Sequence, residues 1–119
     1  MAIAVTTPGA GKSGFILSSV SADASGCEEL KAAVSGKSII VDLLTINNGA
    51  NALSHTIGEG ETGGAVTTAL IGPIAMAVNT SLQFDFRDVG GMKLTAATAL
   101  VVDSSGAGAV CVHVLGRVE

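Results

Sequence analysis

Short runs of alternating hydrophobic and polar residues follow one another along the chain from residue 14, separated by clusters of Gly, Asn, Asp and Ser. This spacing is typical of a β-sandwich or barrel, in which each strand buries one of its faces. About eight strands are predicted, within residues 15–21, 37–47, 53–57, 66–78, 82–86, 92–95, 99–103 and 110–118. Eight antiparallel strands on one core predict an all-β, jelly-roll-like sandwich domain over residues 14–119.

Lys37–Asn47 gives the strongest strand pattern, because hydrophobic residues occupy both sets of alternate positions. One set is Ile39, Val41 and Leu43, and the other is Ile40, Leu44 and Ile46. A strand that is apolar on both faces is expected at the centre of a sheet or beneath a neighbouring subunit. Leu82, Phe84 and Phe86 instead alternate with polar residues, which predicts a half-exposed strand with a hydrophobic inner face.

Glycine and proline mark the predicted interruptions. Residues 1–13 contain Pro8 and several glycines, which predicts an extended and irregular N-terminal arm. Gly58–Gly64 is predicted as a loop. Gly72-Pro73 predicts a break or bulge within its strand, because proline cannot donate a hydrogen bond to a ladder.

Cys27–Val34 has two competing interpretations. Ser25 and Glu28 have the spacing of a helical capping box, and the residues that follow favour a helix. A helix of about seven residues is only marginally stable, however. A helix and a strand therefore both stay open for this segment, and the strand is favoured.

The composition agrees with one folded domain built from small hydrophobic side chains. The 119 residues are 48% hydrophobic and 13% charged, which argues against disorder. With three Phe and no Trp or Tyr, the core must consist of Val, Ile, Leu and Ala. Such a core is thin for a monomer, so we expect a homo-oligomer that covers the remaining apolar surface.

Charge and hydropathy argue against two kinds of partner. The formal net charge is -4 with only six Lys and Arg, so no basic patch for nucleic acid is expected. The longest apolar stretch, Ala65–Val78, falls short of the roughly 20 residues that a membrane-spanning helix needs. Met1–Val5 lacks the basic flank of a signal peptide. The sequence thus predicts a soluble protein made in the cytoplasm.

Two short matches to phosphate-binding loops carry little weight. Gly11-Lys12-Ser13 has Thr6 where the motif needs glycine, and a strand-like run follows it where the motif needs a helix. Gly36-Lys37-Ser38 is the same coincidence, and Lys37 is interpreted as the surface start of a strand. We therefore predict no cofactor.

The cysteines and histidines offer one weak metal hypothesis. Cys111 and His113 share a strand face, and with Cys27 and His55 they supply four zinc-ligand types. Zinc sites usually take close pairs of ligands from turns, and only one pair exists here. Packing at a sheet surface or subunit contact is the favoured interpretation, and a Cys27–Cys111 disulfide is another alternative.

No pattern of catalytic residues stands out, and we predict that the chain is not an enzyme. Serines are plentiful, but no Gly-x-Ser-x-Gly elbow is present. Glu59 and Glu61 lie in a glycine-rich stretch that is interpreted as a solvated hairpin tip, with weak cation binding as the alternative. Asn79-Thr80-Ser81 matches a glycosylation acceptor, which matters only on a secretory route.

The order of four segments carries a resemblance to a known family. They are Ala32–Val41, Leu70-Ile71-Gly72-Pro73-Ile74, Leu94–Leu100 and the glycine-rich turn and valine-rich strand over Gly106–Val118. Over roughly residues 14–119, this order resembles the small β-sandwich decoration or cement proteins of tailed-phage capsids. The resemblance implies a jelly-roll homotrimer that binds the major capsid protein at the capsid surface of the virion, without catalysis.

Two alternatives to a decoration protein stay open. A head-fibre or tail module that binds a host-surface glycan has the same strand pattern, but would normally expose aromatic residues. A small-molecule binder such as a cupin would need clustered histidines and carboxylates, and the two histidines stand far apart.

Overall fold

Strands account for nearly all of the regular structure. The structure, a computed structural model, describes residues 4–6, 14–22, 28–61, 64–106 and 108–119, the first two ranges by their backbone alone. The strands are β1 (Ala4–Thr6), β2 (Gly14–Ala22), β3 (Glu28–Lys31), β4 (Ile39–Asn48), β5 (Leu53–Gly60), β6 (Val66–Met76), β7 (Ser81–Asp85), β8 (Met92–Lys93), β9 (Ala99–Ser104) and β10 (Gly108–Val118). A 3-10 turn, η1 (Arg87–Val89), lies between β7 and β8. These ranges contain no helix with the length and hydropathy that a bilayer crossing needs.

The strands form two antiparallel sheets. One sheet has the order β1-β2-β10-β4-β7, with β8 also paired to β4, and the other has the order β3-β9-β5-β6. Without the short strands β1 and β8, the first, eighth, third and sixth strands share one sheet, and the second, seventh, fourth and fifth share the other. This is the strand order of a jelly roll. The predicted all-β sandwich is confirmed.

One aliphatic core lies between the sheets. β10 shows how alternation builds it, because Val112 and Val114 are buried while His113 and Leu115 on the other face are exposed. The buried cluster consists of Leu30, Ile39, Val41, Leu44, Ile46, Ile57, Ile71, Met76, Leu94, Leu100, Val102, Val110, Val112 and Val114. Among the side chains that the structure describes, it contains residues of both sheets and no aromatic residue.

A β-bulge at Asp42 explains why β4 is apolar at both sets of alternate positions. Leu43 pairs with Leu115 of β10 and Val41 pairs with Gly116, which leaves Asp42 as an extra residue. The strand therefore changes phase at Asp42. The residues that join the core are Ile39, Val41, Leu44 and Ile46. The prediction that Leu43 shares a face with Ile39 and Val41 is wrong, but the central place of β4 in its sheet is confirmed.

The ambiguous segment after residue 27 is a strand. Glu28–Lys31 forms β3 and pairs antiparallel with β9. Leu30 is buried and joins the core, whereas Glu29 is exposed, as alternation in a strand requires. The helical alternative for Cys27–Val34 is wrong, because the tertiary pairing with β9 decides the conformation of this short segment.

β5 extends further than predicted. It runs to Gly60, and Gly58 and Gly60 pair with β9 on one side and β6 on the other. A Cβ atom on Gly58 would overlap the backbone oxygen of Thr68, so glycine here permits close approach of two strands. The prediction of a loop that begins at Gly58 is therefore wrong.

β6 continues through Gly72-Pro73, which is a cis peptide bond. In the pairing with β5, His55 lies opposite Ile74 and Ile57 opposite Ile71, so β6 holds one residue more than β5 between these pairs. The bulge predicted at this glycine and proline is confirmed.

Both ends of the described chain pair with neighbouring segments. The backbone N–H of Glu119 donates to the Ser38 oxygen at 2.9 Å, and the N–H of Ser38 donates to the Glu119 oxygen at 2.7 Å. Residues 4–6 of the predicted irregular arm form β1, which pairs with β2. The rest of the predicted arm over residues 1–13 lies outside the described residues.

Candidate functional site

A buried histidine connects the ends of four strands. The ring of His55 is fully buried, with Nδ1 2.8 Å from Ser104 Oγ and Nε2 3.0 Å from Asn48 Oδ1. The Asn48 amide nitrogen, with its two hydrogens, lies within hydrogen-bond distance of three backbone oxygens, those of Asn51, Met76 and Ala77. The Asn48 Oδ1 is therefore an acceptor, so His55 carries its proton on Nε2 and accepts the Ser104 hydroxyl proton at Nδ1.

This network stabilises the fold, although Ser, His and Asn are residue types that also build hydrolase sites. A nucleophilic serine must reach a substrate, and Ser104 is only 5% exposed beside a histidine that is 0% exposed. Burial lowers the pKa of His55 from its usual 6.5, which favours the neutral ring. The three side chains join β4 of one sheet to β5 and β9 of the other.

Glu59 points into the fold. Its carboxylate Oε1 accepts the backbone N–H of Thr95 at 2.5 Å, and its backbone oxygen accepts the Thr67 hydroxyl at 3.2 Å. The interpretation of Glu59 and Glu61 as a solvated pair is wrong for Glu59, because β5 continues through it and buries its side chain. Glu61 is exposed.

The structure separates the residues of the zinc hypothesis. Cys111 Sγ and His113 Nε2 lie 3.2 Å apart on the outer face of β10, so the prediction that they share a face is confirmed. His55 lies in the interior and is engaged with Asn48 and Ser104. Cys27, and with it the disulfide alternative, lies outside the described residues. Within the described ranges, no three His, Cys, Asp or Glu side chains are grouped to hold a metal ion.

The remaining sequence motifs fall in turns or outside the description. Gly36 has a φ of 72° and precedes the exposed Lys37, whose backbone N–H donates to the Val34 oxygen at 3.1 Å. This turn leads into β4. Asn79 of the glycosylation pattern has a φ of 54° in the exposed turn between β6 and β7. Gly11-Lys12-Ser13 lies outside the described residues.

A concavity of about 520 Å³ opens between β3, the start of β6 and the segment before β9. Its walls are small side chains, and its polar groups are the carboxylates of Glu29 and Glu61 and the hydroxyls of Thr67 and Thr98. The lining residues are Glu29, Ala33, Gly60, Glu61, Gly64, Ala65, Thr67, Ala97, Thr98 and Ala99. These lining residues include no Lys, Arg, His, Ser or Cys.

On one side of the sandwich, the two edge strands carry a single charged residue, Asp85 at the end of β7. β6 and β7 are the last strands of their sheets and are joined by residues 77–80, so their edges lie on the same side. In the described ranges β6 pairs only with β5, and β7 only with β4. The sequence from Thr62 to Phe84, which covers β6 and most of β7, contains no Asp, Glu, Lys, Arg or His.

Hydrophobic side chains reach the surface along this side. Leu70, Ile74 and Phe84 are half-buried against the core, while Val78 is 49% exposed and Leu82 is 39% exposed. These five residues are called the apolar seam below. Phe84 packs on the core, as predicted for the inner face of this strand, whereas Leu82, opposite the buried Ile46, is exposed. The exposure follows from the position of β7 at the edge of its sheet.

Comparisons with known proteins give no relative of the chain. No protein-family model, curated protein or solved structure matches it. Fold and site together define a class, an all-β jelly-roll protein whose buried polar groups hold its two sheets together. The likeness to tailed-phage decoration proteins stays a prediction.

Proposed function

We propose that this chain is a structural protein of a virus particle, a decoration protein that binds a phage-type capsid as a homotrimer and performs no catalysis. The observation that carries the proposal is the complete jelly-roll strand order. Jelly rolls occur in viral capsid proteins, in lectins and in cupins. A fold alone does not decide among these functions, so the choice among them must rest on the side chains.

The side chains give less support to a cupin or a lectin than to a capsid protein. A cupin holds a metal with clustered histidines and carboxylates inside its barrel. Here His55 is the interior histidine of the described ranges, and both of its ring nitrogens are engaged by Ser104 and Asn48. A lectin stacks sugars on exposed aromatic rings, whereas Phe84 and Phe86 are half-buried and pack on the core.

The proposed mechanism is attachment by many weak contacts. Three copies in one trimer present three identical surfaces, so binding of the first raises the effective concentration of the others. In this proposal residues 1–13 and the surface loops contact the major capsid protein.

Quantitative mass spectrometry of purified virus particles from the host that carries the gene tests the proposal. We expect the protein in the particles at a copy number comparable to that of the major capsid protein, because decoration covers the lattice. A few copies per particle would instead indicate a tail or fibre, and complete absence from particles would overturn the proposal. Rebinding of purified protein to particles that lack it is the matching positive control.

A second candidate function is binding of a host-surface glycan in a head fibre or tail. The concavity favours it, because carboxylates of Glu29 and Glu61 and hydroxyls of Thr67 and Thr98 can bind sugar hydroxyls. A glycan array with purified protein separates the two functions. A signal that the double variant E29A/E61A abolishes would support the glycan module, and an array without signal would leave the decoration protein as the sole proposal.

A further inference from the structure

We infer that the apolar seam is the surface through which copies of this chain bind one another. The inference rests on the homo-oligomer in the proposed function and adds the surface through which its subunits contact one another. Two exposed sheet edges, a charge-free sequence and exposed aliphatic side chains coincide there.

The edges of β6 and β7 carry no charged side chain over residues 66–84. Folded proteins shield edge strands with charged side chains, prolines, bulges or a covering segment, because unpaired backbone groups bind other strands. β6 has eleven residues, none of them charged, and its edge is interrupted by Pro73 and by three irregularities in its pairing with β5. Ser81–Phe84 of β7 is also uncharged. Such edges are suited to a defined partner.

The charge distribution selects a second copy as that partner. The chain has a formal net charge of -4, so two copies repel each other unless they meet through an uncharged surface. Every charged residue lies outside Thr62–Phe84. Next to the seam, Asp85 and Arg87 form an ion pair at 2.6 Å, so their charges offset each other. A strongly charged partner would find no opposite charge there.

The dimensions of this side reach the lower limit of a specific subunit interface. The eleven residues of β6 pair along the eight residues of β5, so β6 spans about 26 Å, and two packed sheets with their side chains give a side on the order of 500 Å². Two copies in contact would bury roughly 1,000 Å² in total, the smallest area expected of a specific interface. Contact of β6 with β7 of the next copy is heterologous and can close into a ring of three, whereas contact of β6 with β6 closes a dimer.

Two leucines of nearly equal exposure provide the test. Leu82 in the seam is 39% exposed, and Leu115 on the outer face of β10 is 37% exposed. Native mass spectrometry and light scattering of wild type, L82K and L115K measure subunit association. We expect oligomers for wild type and L115K, and a dissociation constant at least about 100-fold higher for L82K, because the interface would bury an unpaired ammonium group.

Val78→Lys and Val89→Lys repeat the test at a second pair of exposed positions. Val78 belongs to the seam and Val89 lies on η1 outside it, and circular dichroism verifies that each variant is folded. A monomeric wild type, or an oligomer that L115K or V89K dissociates while L82K and V78K do not, would overturn the inference. Particle association is measured separately, so a seam-dependent oligomer absent from particles would overturn only the proposed function.

Discussion

The neutral ring of His55 makes the stability of the fold depend on pH. Burial lowers the pKa of this histidine in the folded state, while the unfolded chain retains the usual value of 6.5. Below pH 6.5 the His55 ring binds a proton in the unfolded state but stays neutral in the folded state until the pH reaches the lowered pKa. The free energy of unfolding is therefore highest above about pH 6.5 and falls as the pH drops from there toward the lowered pKa.

We expect chemical denaturation between about pH 7.5 and 5.5 to show this loss, with a slope of at most about 1.4 kcal/mol per pH unit. The variant H55Q should be less stable at every pH but should lose the slope. The exposed His113 provides the control, since H113Q removes a histidine and should retain the slope. An H55Q variant with the wild-type slope would show that His55 does not cause the pH dependence of stability.

At the scale of elements, the turn after η1 supports the bulge in β4. Gly91 has a φ of 92°, and a Cβ atom there would overlap Ile40 Cγ2 and lie 2.7 Å from Asp42 Oδ1. The same Asp42 oxygen accepts Arg117 Nη1 at 2.5 Å, and Arg117 Nη2 donates to the Gly90 oxygen at 2.8 Å. The extra residue of β4 is thus held by contacts to the turn and to β10.

Alanine substitutions at Gly90 and Gly91 separate the cost of a left-handed backbone from the cost of steric overlap with the bulge. Gly90 also has a positive φ, of 80°, but a Cβ atom there meets nothing within 4 Å. We expect G90A to lower the free energy of unfolding by about 1 kcal/mol, the cost of a left-handed residue with a side chain. G91A should lower it by about 3 kcal/mol, because overlap with the bulge adds to that cost. Equal losses in denaturant titrations would refute the role assigned to this turn.

Local patterns predict the strands far better than their irregularities. Alternation locates β7 and β10, and proline marks the bulge in β6. The bulge at Asp42 has no glycine or proline to mark it, so the period alone assigns Leu43 to the wrong face. The extension of β5 through Glu59 depends on its pairing with β6 and β9, which the local sequence does not encode.

Some features of the candidate sites also follow from the sequence, and others follow only from the fold. The shared face of Cys111 and His113 follows from their spacing on one strand. The partners of His55 do not, because Ser104 is 49 positions away and the jelly-roll topology brings the two together. The uncharged stretch over Thr62–Phe84 is visible in the sequence. That it covers both free edges on one side becomes clear only from the strand order.

At the scale of the whole molecule, β1 and β7, which carries part of the seam, lie at opposite ends of one sheet. In the order β1-β2-β10-β4-β7, β1 is the first strand and β7 the last. β1 pairs with β2 alone among the described strands, and β2 keeps β10 as its other neighbour. Loss of β1 therefore removes no strand pairing of β10, β4 or β7.

This separation predicts that deletion of residues 1–13 weakens capsid attachment while the oligomer survives. The truncated chain should have the wild-type oligomer mass in light scattering, because β6 and β7 are unchanged, and should rebind less to particles that lack the protein. L82K should instead lower the oligomer mass. Its attachment to particles should then weaken, because separated subunits lose multivalency. A truncated chain that is monomeric would place the subunit contact at the β1 edge instead, and one that rebinds like wild type would remove residues 1–13 from the attachment mechanism.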